Sequence, residues 1–178
     1  MILSKGSLRA KEWRWCGRSL SINGDSLDSR SPHKDYAEML AALSAEGAEF
    51  VVVGAYALGA HGRVRATKDI DILVRPSGDN APRVWRALVT FGAPLRDLDP
   101  ADLSQPDLMF QIGMDPVRIG LLTSIVGVEF DEAWRTRVFA DLGGITVPVL
   151  SREMLIKAKR AAGRLQDLAD LEALGETP

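Results

Sequence analysis

The sequence is poor in the residues that build cross-links and soft-metal sites. Its 178 residues include one cysteine, Cys16, and two histidines, His33 and His61. A single thiol cannot form an internal disulfide or a zinc cluster, which excludes a secreted disulfide scaffold and a structural zinc finger. Two histidines also supply few partners for serine-protease, cysteine-protease or His-ligated metal chemistry. We therefore expect a cytoplasmic protein that folds without covalent staples.

Long apolar runs and a strong net charge are also lacking. The longest uncharged stretches, residues 50–60 and 119–128, fall well short of the about 18 apolar residues that a membrane helix requires. We therefore expect no membrane partner. The formal net charge of −2 argues against wholesale coating of nucleic acid but permits a local basic groove. At this length, one domain can bury roughly 70% of the surface of its unfolded chain.

The first 31 residues differ from the rest of the chain. Basic residues outnumber acidic ones there, serine and glycine are frequent, and no helix or strand periodicity persists. We predict a flexible basic extension over residues 1–31 and one domain over residues 32–178. Trp13 and Trp15, with Arg14 between them, could stack on bases of single-stranded nucleic acid. A disordered tail, a start codon set too far upstream and a transit peptide are the alternatives.

Helix and strand patterns alternate through the remaining chain. The spacing predicts a helix from Ser31-Pro32 to Glu46-Gly47, a strand over 50–53, a short helix over 55–61, an adjoining strand over 69–74 and a helix over 79–91. It then predicts a strand pair over 108–112 and 117–122, a short helix over 130–135, a strand over 145–150 and two helices between Ser151 and Leu174, divided by Gly163. The fold class is α/β (α+β).

The most informative pattern joins Gly54-Ala55 to Asp69 and Asp71. Alternate residues of a strand point the same way, so the two carboxylates share a face while the isoleucines between and after them enter the core. Two adjacent like charges repel unless a cation lies between them, and a hard ion such as Mg²⁺ or Mn²⁺ suits carboxylate oxygens. The glycine turn opens a helix whose free N–H groups favour a phosphate. If the carboxylate pair binds a metal ion and the glycine turn binds a phosphate, the pattern predicts nucleotide chemistry. The alternatives are that the two aspartates lie on an exposed strand face and that Gly54 only forms a tight turn.

This pattern, a hydrophobic residue, Gly54-Ala55, a spacer and Asp-Ile-Asp-Ile, resembles the signature of the nucleotidyltransferase fold of the DNA polymerase β superfamily. The wider context through His61-Gly62-Arg63 and Thr67-Lys68 is similar to small bacterial nucleotidyltransferases of the AbiEii toxin type, over most of the chain from residue 35. The resemblance implies a mixed sheet flanked by helices, with a helical C-terminal element. It also implies Mg²⁺- or Mn²⁺-dependent transfer of a nucleotidyl group from a nucleoside triphosphate to a hydroxyl on RNA, protein or a small molecule. An antitoxin partner and a tRNA 3′ end as acceptor would follow from the toxin likeness.

The resemblance also implies roles for individual residues. It assigns metal binding and catalysis to Asp69 and Asp71, catalysis and phosphate binding to Lys159, and nucleotide binding to Gly54, Ala55, Asp167 and Asp170. The last two aspartates lie three apart on one helical face, with Lys159 two turns earlier, and a salt-bridged or solvated helix face would have the same spacing.

A basic loop precedes the two carboxylates of the Asp-Ile-Asp pattern. Arg65 and Lys68, together with Arg63, could draw a triphosphate or RNA into the cleft. A solvated loop accounts for these residues equally well. We therefore treat Arg65 and Lys68 as candidate nucleotide-binding residues.

Two positions depart from the family pattern. Ala55 stands where the family prefers glycine or serine, and Gly120 stands where it usually has a third carboxylate. That third acid helps to hold the second ion in two-metal phosphoryl transfer. The alternative function is therefore a catalytically lapsed nucleotide-binding or interaction module. Asp107, Asp115 and Glu129 are candidates to replace the missing acid.

Overall fold

The computed structural model describes residues 32–96, 98–114 and 117–177. The predicted extension over residues 1–31, with Trp13 and Trp15, lies outside the described residues. The elements are α1 (Pro32–Ala45), β1 (Phe50–Val53), α2 (Gly54–Ala60), β2 (Asp69–Val74), α3 (Ala81–Phe91), a 3₁₀ helix (Pro100–Ser104), β3 (Met109–Met114), β4 (Val117–Leu122), α4 (Phe130–Thr136), β5 (Val138–Asp141), β6 (Thr146–Val149), α5 (Arg152–Ala162) and α6 (Leu165–Ala173).

The strands form one mixed sheet in the order β3-β4-β2-β1-β6-β5. Strand β1 pairs antiparallel with β2 and parallel with β6, and β2 pairs parallel with β4. The pairs β3–β4 and β5–β6 are antiparallel hairpin neighbours. Helix α1 packs on α3, and α5 packs on α6. The predicted α/β (α+β) class, with a mixed sheet flanked by helices and a helical C-terminal element, is confirmed.

The core lies along the two central strands. All four residues of β1 are buried, as the run of valines predicts for a strand covered on both faces. In β2, Ile70 and Ile72 are buried at 1% and 0% exposure, whereas the aspartates that alternate with them are more exposed. The alternation inferred from the sequence therefore directs the two carboxylates away from the core.

Local signals place several helix ends as predicted. Pro82 lies in the first turn of α3, where its missing N–H costs no hydrogen bond. The Ser151 hydroxyl caps α5 by accepting a hydrogen bond from the Met154 amide at 3.3 Å. Gly163 adopts a left-handed conformation and separates α5 from α6.

Two elements have no counterpart among the predicted ones. Strand β5 is an edge strand in which Phe139 is 62% exposed, so no alternation between buried and exposed residues marks it in the sequence. Its pairing with β6 makes it a strand. The 3₁₀ helix is set by Asp99 and Asp102, whose side chains cap its first turn reciprocally.

None of the helices in the described part of the chain is long and apolar enough to cross a membrane.

Candidate functional site

The turn from β1 into α2 lies directly beside the Asp71 carboxylate. Val53, the last residue of β1, is the register partner of Asp71 on β2. Gly54 follows with φ +65°, a backbone conformation that favours glycine. A Cβ atom at this position would lie 2.6 Å from Asp71 Oδ2. Glycine is therefore required both by the turn and by the closeness of the carboxylate.

Asp71 lies in an environment that opposes its negative charge. Burial raises the pKa of the Asp71 carboxyl above its usual value, and the neighbouring charge of Asp69 raises it further. The positive charges of Arg164, Arg65 and Lys159 act in the opposite direction without cancelling this effect. A carboxylate held in this way is suited to bind a cation, because an added positive charge removes the repulsion between the two acids.

A buried ion-pair network lies close enough to Asp71 for its positive charges to act on that carboxylate. Lys159 Nζ lies 2.5 Å from Asp170 Oδ2 and 3.2 Å from Asp167 Oδ1, and all three residues are at most 6% exposed. Arg164 donates to Asp167 at 2.7 Å, and Gln166 donates to Asp170 at 3.1 Å. These residues therefore form a buried ion-pair network and not a solvated helix face.

Hydrogen bonds from Lys159 and Arg164 set the charge state of Asp167. Burial raises the pKa of Asp167, but hydrogen bonds and charge from Arg164 and Lys159 outweigh burial and bring it below its usual value. Lys159 has both of its carboxylate partners within hydrogen-bonding distance and little contact with solvent. A phosphate would therefore reach the exposed Arg164 before it could reach Lys159.

The loop between α2 and β2 contributes one arginine and one lysine. Arg65 Nε lies 3.2 Å from Asp170 Oδ1, which ties the loop to α6 by charge although the geometry is not that of a hydrogen bond. The side chain of Lys68 is exposed, and its carbonyl accepts a hydrogen bond from Tyr36 Oη at 2.6 Å. Ala55 is buried, so its contribution to a ligand would come from the backbone.

Position 120 lies directly opposite Asp71 in the sheet. Strands β2 and β4 run parallel, with Asp71 opposite Gly120 and Asp69 opposite Arg118. A Cβ atom at Gly120 would lie 2.8 Å from Asp71 Oδ1. An acidic side chain at this position would therefore lie next to the Asp71 carboxylate. Gly120 thus occupies the position, opposite Asp71, at which the resemblance leads us to expect a third carboxylate.

Two of the three candidate replacements lie elsewhere. Asp107 accepts a hydrogen bond at 2.6 Å from Ser124, two residues after the C-terminal end of β4. Ser124 therefore lies roughly 13 Å along the strand direction from Gly120. Glu129 directly precedes α4. Asp131 of that helix pairs with Arg75, which follows the last residue of β2 and lies four residues after Asp71. These two expectations are wrong, because strand direction carries both segments away from Asp71. Asp115 lies outside the described residues.

The donor set fits one divalent ion better than two. Asp69 and Asp71 supply the hard carboxylate oxygens that Mg²⁺ and Mn²⁺ prefer. In residues 32–96, 98–114 and 117–177, no group of three or more His, Cys, Asp or Glu side chains could hold a metal. When bound, such an ion would neutralise phosphate oxygens and stabilise charge developing at the reacting phosphorus.

Two arginines of the site are not among the predicted residues. Arg118 Nε donates to Asp69 Oδ1 at 3.0 Å, and Arg164 holds Asp167. The i,i+3 spacing of Arg164 and Asp167 is a local signal that could have identified this pair. No local signal identifies Arg118, because its contact with Asp69 depends on the register between strands far apart in sequence.

No protein-family model and no curated protein matches this chain. Among solved structures, a candidate nucleotidyltransferase from Thermotoga maritima is similar to it, with a TM-score of 0.54. The likeness covers 78% of this chain and 89% of that one, at 18% sequence identity. The chain has a nucleotidyltransferase-like fold. In this fold, Asp69 and Asp71 lie on the central strand β2, and Asp71 lies beside the β1–α2 turn.

Proposed function

We propose that this protein transfers a nucleotidyl group from a nucleoside triphosphate to an acceptor hydroxyl, with Mg²⁺ or Mn²⁺ as cofactor. The observation that carries the proposal is the position of the Asp71 carboxylate, enclosed between Gly54 and Gly120 with a raised pKa beside Asp69. A fold retains such an arrangement at a cost in stability, which is typical of functional sites. The acceptor would be a hydroxyl on RNA, protein or a small molecule.

Each part of the site has a distinct role in this proposal. Asp69 and Asp71 would hold one ion, and backbone N–H groups at Gly54 and Ala55 would face a phosphate. Arg65 and Arg164, with side chains 36% and 78% exposed, would contact the triphosphate.

The buried network would support these contacts from behind. Lys159 would offset phosphate charge from within the network, where Asp167 and Asp170 hold it and position the two arginines. Lys68 would add positive charge at the entrance, because its side chain is exposed.

The test is transfer of α-labelled nucleoside triphosphates, each base in turn, onto total RNA and protein with Mg²⁺ or Mn²⁺. We expect label with the wild type and a loss of at least about 100-fold in Asp69→Asn/Asp71→Asn, since electrostatic groups of this kind contribute that much or more. Asp79→Asn, at an exposed carboxylate before α3, is the matched control and should keep full transfer. Equal transfer by the double variant and the control would refute the proposed site.

Gly120 supports a second candidate, a nucleotide-binding module that has lost catalysis. Its position opposite Asp71 leaves two carboxylates, among the described residues, where two-metal transfer uses three. In that case a triphosphate with Mn²⁺ would raise the melting temperature of the wild type without any transfer. The variant Gly120→Asp alone would gain transfer, because it adds a third acid beside Asp71, whose carboxylate would shift away from a Cβ placed 2.8 Å from its Oδ1.

The AbiEii-type likeness extends the proposal to a toxin–antitoxin role, with a tRNA 3′ end as acceptor and an antitoxin as partner. The labelled RNA from the same assay tests this extension. Label confined to tRNA, and absent when the 3′-terminal ribose of the tRNA is oxidised beforehand, would support it. Label on protein or on all RNA classes alike would overturn it.

A further inference from the structure

Arg118 lies on the face of the sheet that carries the two candidate metal ligands. Paired residues of neighbouring strands project to the same side, and β4 sets Arg118 opposite Asp69 and Gly120 opposite Asp71. The guanidinium reaches Asp69, with Nε 3.0 Å from Oδ1. Strand β4 therefore places the positive charge of Arg118 two residues before Gly120, the position at which a third acid would bind a metal ion.

We propose that Arg118 takes the place of the second divalent ion, so that this site operates with a single metal ion. The inference rests on the proposed function, because it concerns the same carboxylates. Asp69 has one oxygen committed to Arg118, which leaves Asp71 and the remaining oxygen of Asp69 for an ion.

A neighbouring side chain holds the guanidinium in position. Gln111 on β3 is the register partner of Gly120, on the opposite side of β4 from Asp71. With its amide oxygen turned toward Arg118, Gln111 accepts hydrogen bonds from Nη1 and Nε, each at 3.3 Å. The Arg118 side chain is 34% exposed, so solvent screens its charge only in part. The missing side chain at Gly120 leaves room for the Asp71 carboxylate, because a Cβ atom there would lie 2.8 Å from Asp71 Oδ1.

The charge of the site is consistent with one ion. Two carboxylates, one arginine and one divalent ion carry a single net positive charge, the same as three carboxylates with two divalent ions. A guanidinium stays charged at every accessible pH and has no exchangeable ligands, so it would supply this charge permanently. Within residues 32–96, 98–114 and 117–177, no third acid joins Asp69 and Asp71 to hold a second divalent ion, which would also face repulsion from Arg118.

Binding of Mn²⁺ to the full-length protein, measured by electron paramagnetic resonance of the free ion, tests the inference. We expect one Mn²⁺ per chain for the wild type and for Arg118→Gln, with several-fold tighter binding in the variant, because Asp69 is released and one repelling charge is removed. Arg118→Lys, which keeps the charge, should stay close to the wild type. Arg118→Gln/Gly120→Asp should bind two ions.

The matched control is Arg83→Gln, which removes the same charge at the opposite end of the sheet. Arg83 donates to the carbonyl of Gly47, before β1 begins. Two ions bound to the wild type, or equal Mn²⁺ affinity in Arg118→Gln and the control, would overturn the inference. The transfer assay separates the proposed role of Arg118 from the proposed function. If the wild type binds two ions and still transfers label, the role of Arg118 is refuted and the proposed function stands. Correct Mn²⁺ stoichiometry without transfer in any variant would refute only the proposed function.

Discussion

Replacing Gly54 with alanine tests how closely the β1–α2 turn and the Asp71 carboxylate depend on each other. Two costs arise at this position. An alanine would occupy the left-handed region at φ +65°, and its Cβ would lie 2.6 Å from Asp71 Oδ2. Ordinary contacts of a Cβ atom begin near 3.4 Å, so the carboxylate would have to move by several tenths of an ångström.

Gly47 provides a matched control for the backbone cost. It has φ +62°, almost the same conformation, and a Cβ there would meet nothing within 4 Å. The left-handed conformation costs alanine about 1–2 kcal/mol, and the stiffer unfolded chain offsets about 0.4–1 kcal/mol of this. Gly47→Ala should therefore destabilise the fold by about 1 kcal/mol. Forcing the Asp71 side chain off its rotamer adds about 0.5–1.5 kcal/mol for Gly54→Ala.

Urea denaturation with the metal chelated measures both variants. Gly54→Ala should cost about 2 kcal/mol, equivalent to a fall in melting temperature of about 4–8 °C for a domain of this size. A double-mutant cycle with Asp71→Ala isolates the contact, since removing the carboxylate should recover about 1 kcal/mol of the cost of Gly54→Ala. Mn²⁺ binding should weaken in Gly54→Ala and stay unchanged in Gly47→Ala.

Equal destabilisation by the two alanine variants, with an additive cycle, would refute this reasoning. The turn would then require glycine only for its left-handed backbone conformation, and the Asp71 carboxylate would have room for a Cβ atom at position 54.

Three further predictions concern the charged and aromatic groups around the site. Lys159→Met should destabilise the fold by about 3–5 kcal/mol in urea, because two buried aspartates lose the ammonium they share. Lys157→Met, at an exposed pair on the same helix, should cost less than about 1 kcal/mol. Asp71→Asn should raise the melting temperature at pH 7 with the metal chelated, because the raised pKa means that ionised Asp71 destabilises the fold. This gain should shrink as pH falls toward 3.8, the ordinary pKa of the group. Burial raises the pKa of Tyr36 from 10.0 to about 12, and the charges of Tyr56 and Asp69 add to this, so the wild type should lose stability between these pH values. Between these pH values, the free energy of unfolding of Tyr36→Phe should fall by about 2–3 kcal/mol less than that of the wild type, as measured by urea denaturation at each pH.

Each of these predictions has a clear contrary result. Equal costs for the two lysine variants would mean that the buried network contributes no more than a surface pair. A lower melting temperature for Asp71→Asn at pH 7 would mean that the ionised carboxylate stabilises the metal-free fold. Parallel pH profiles for the wild type and Tyr36→Phe would mean that the phenol is not shielded from solvent.

The local features of this protein could be predicted from its sequence. The valine run of β1, the alternation through Asp69 and Asp71, the Ser151 cap and the Gly163 break each depend on residues within a few positions of one another. Local backbone preference and side-chain periodicity are enough to determine such features. The elements that escaped prediction, β5 among them, lack a periodic pattern and depend on a neighbouring strand.

The tertiary structure alone decided which residues complete the site. The parallel register of β2 and β4 puts Gly120 against Asp71 and Arg118 against Asp69, and one residue of slip would reverse both faces. Burial separated a buried ion-pair network at Lys159 from the solvated helix face that the same spacing allowed. Register and burial are set by the packing of the whole chain, so residues that are distant in sequence acquire their partners only in the folded protein.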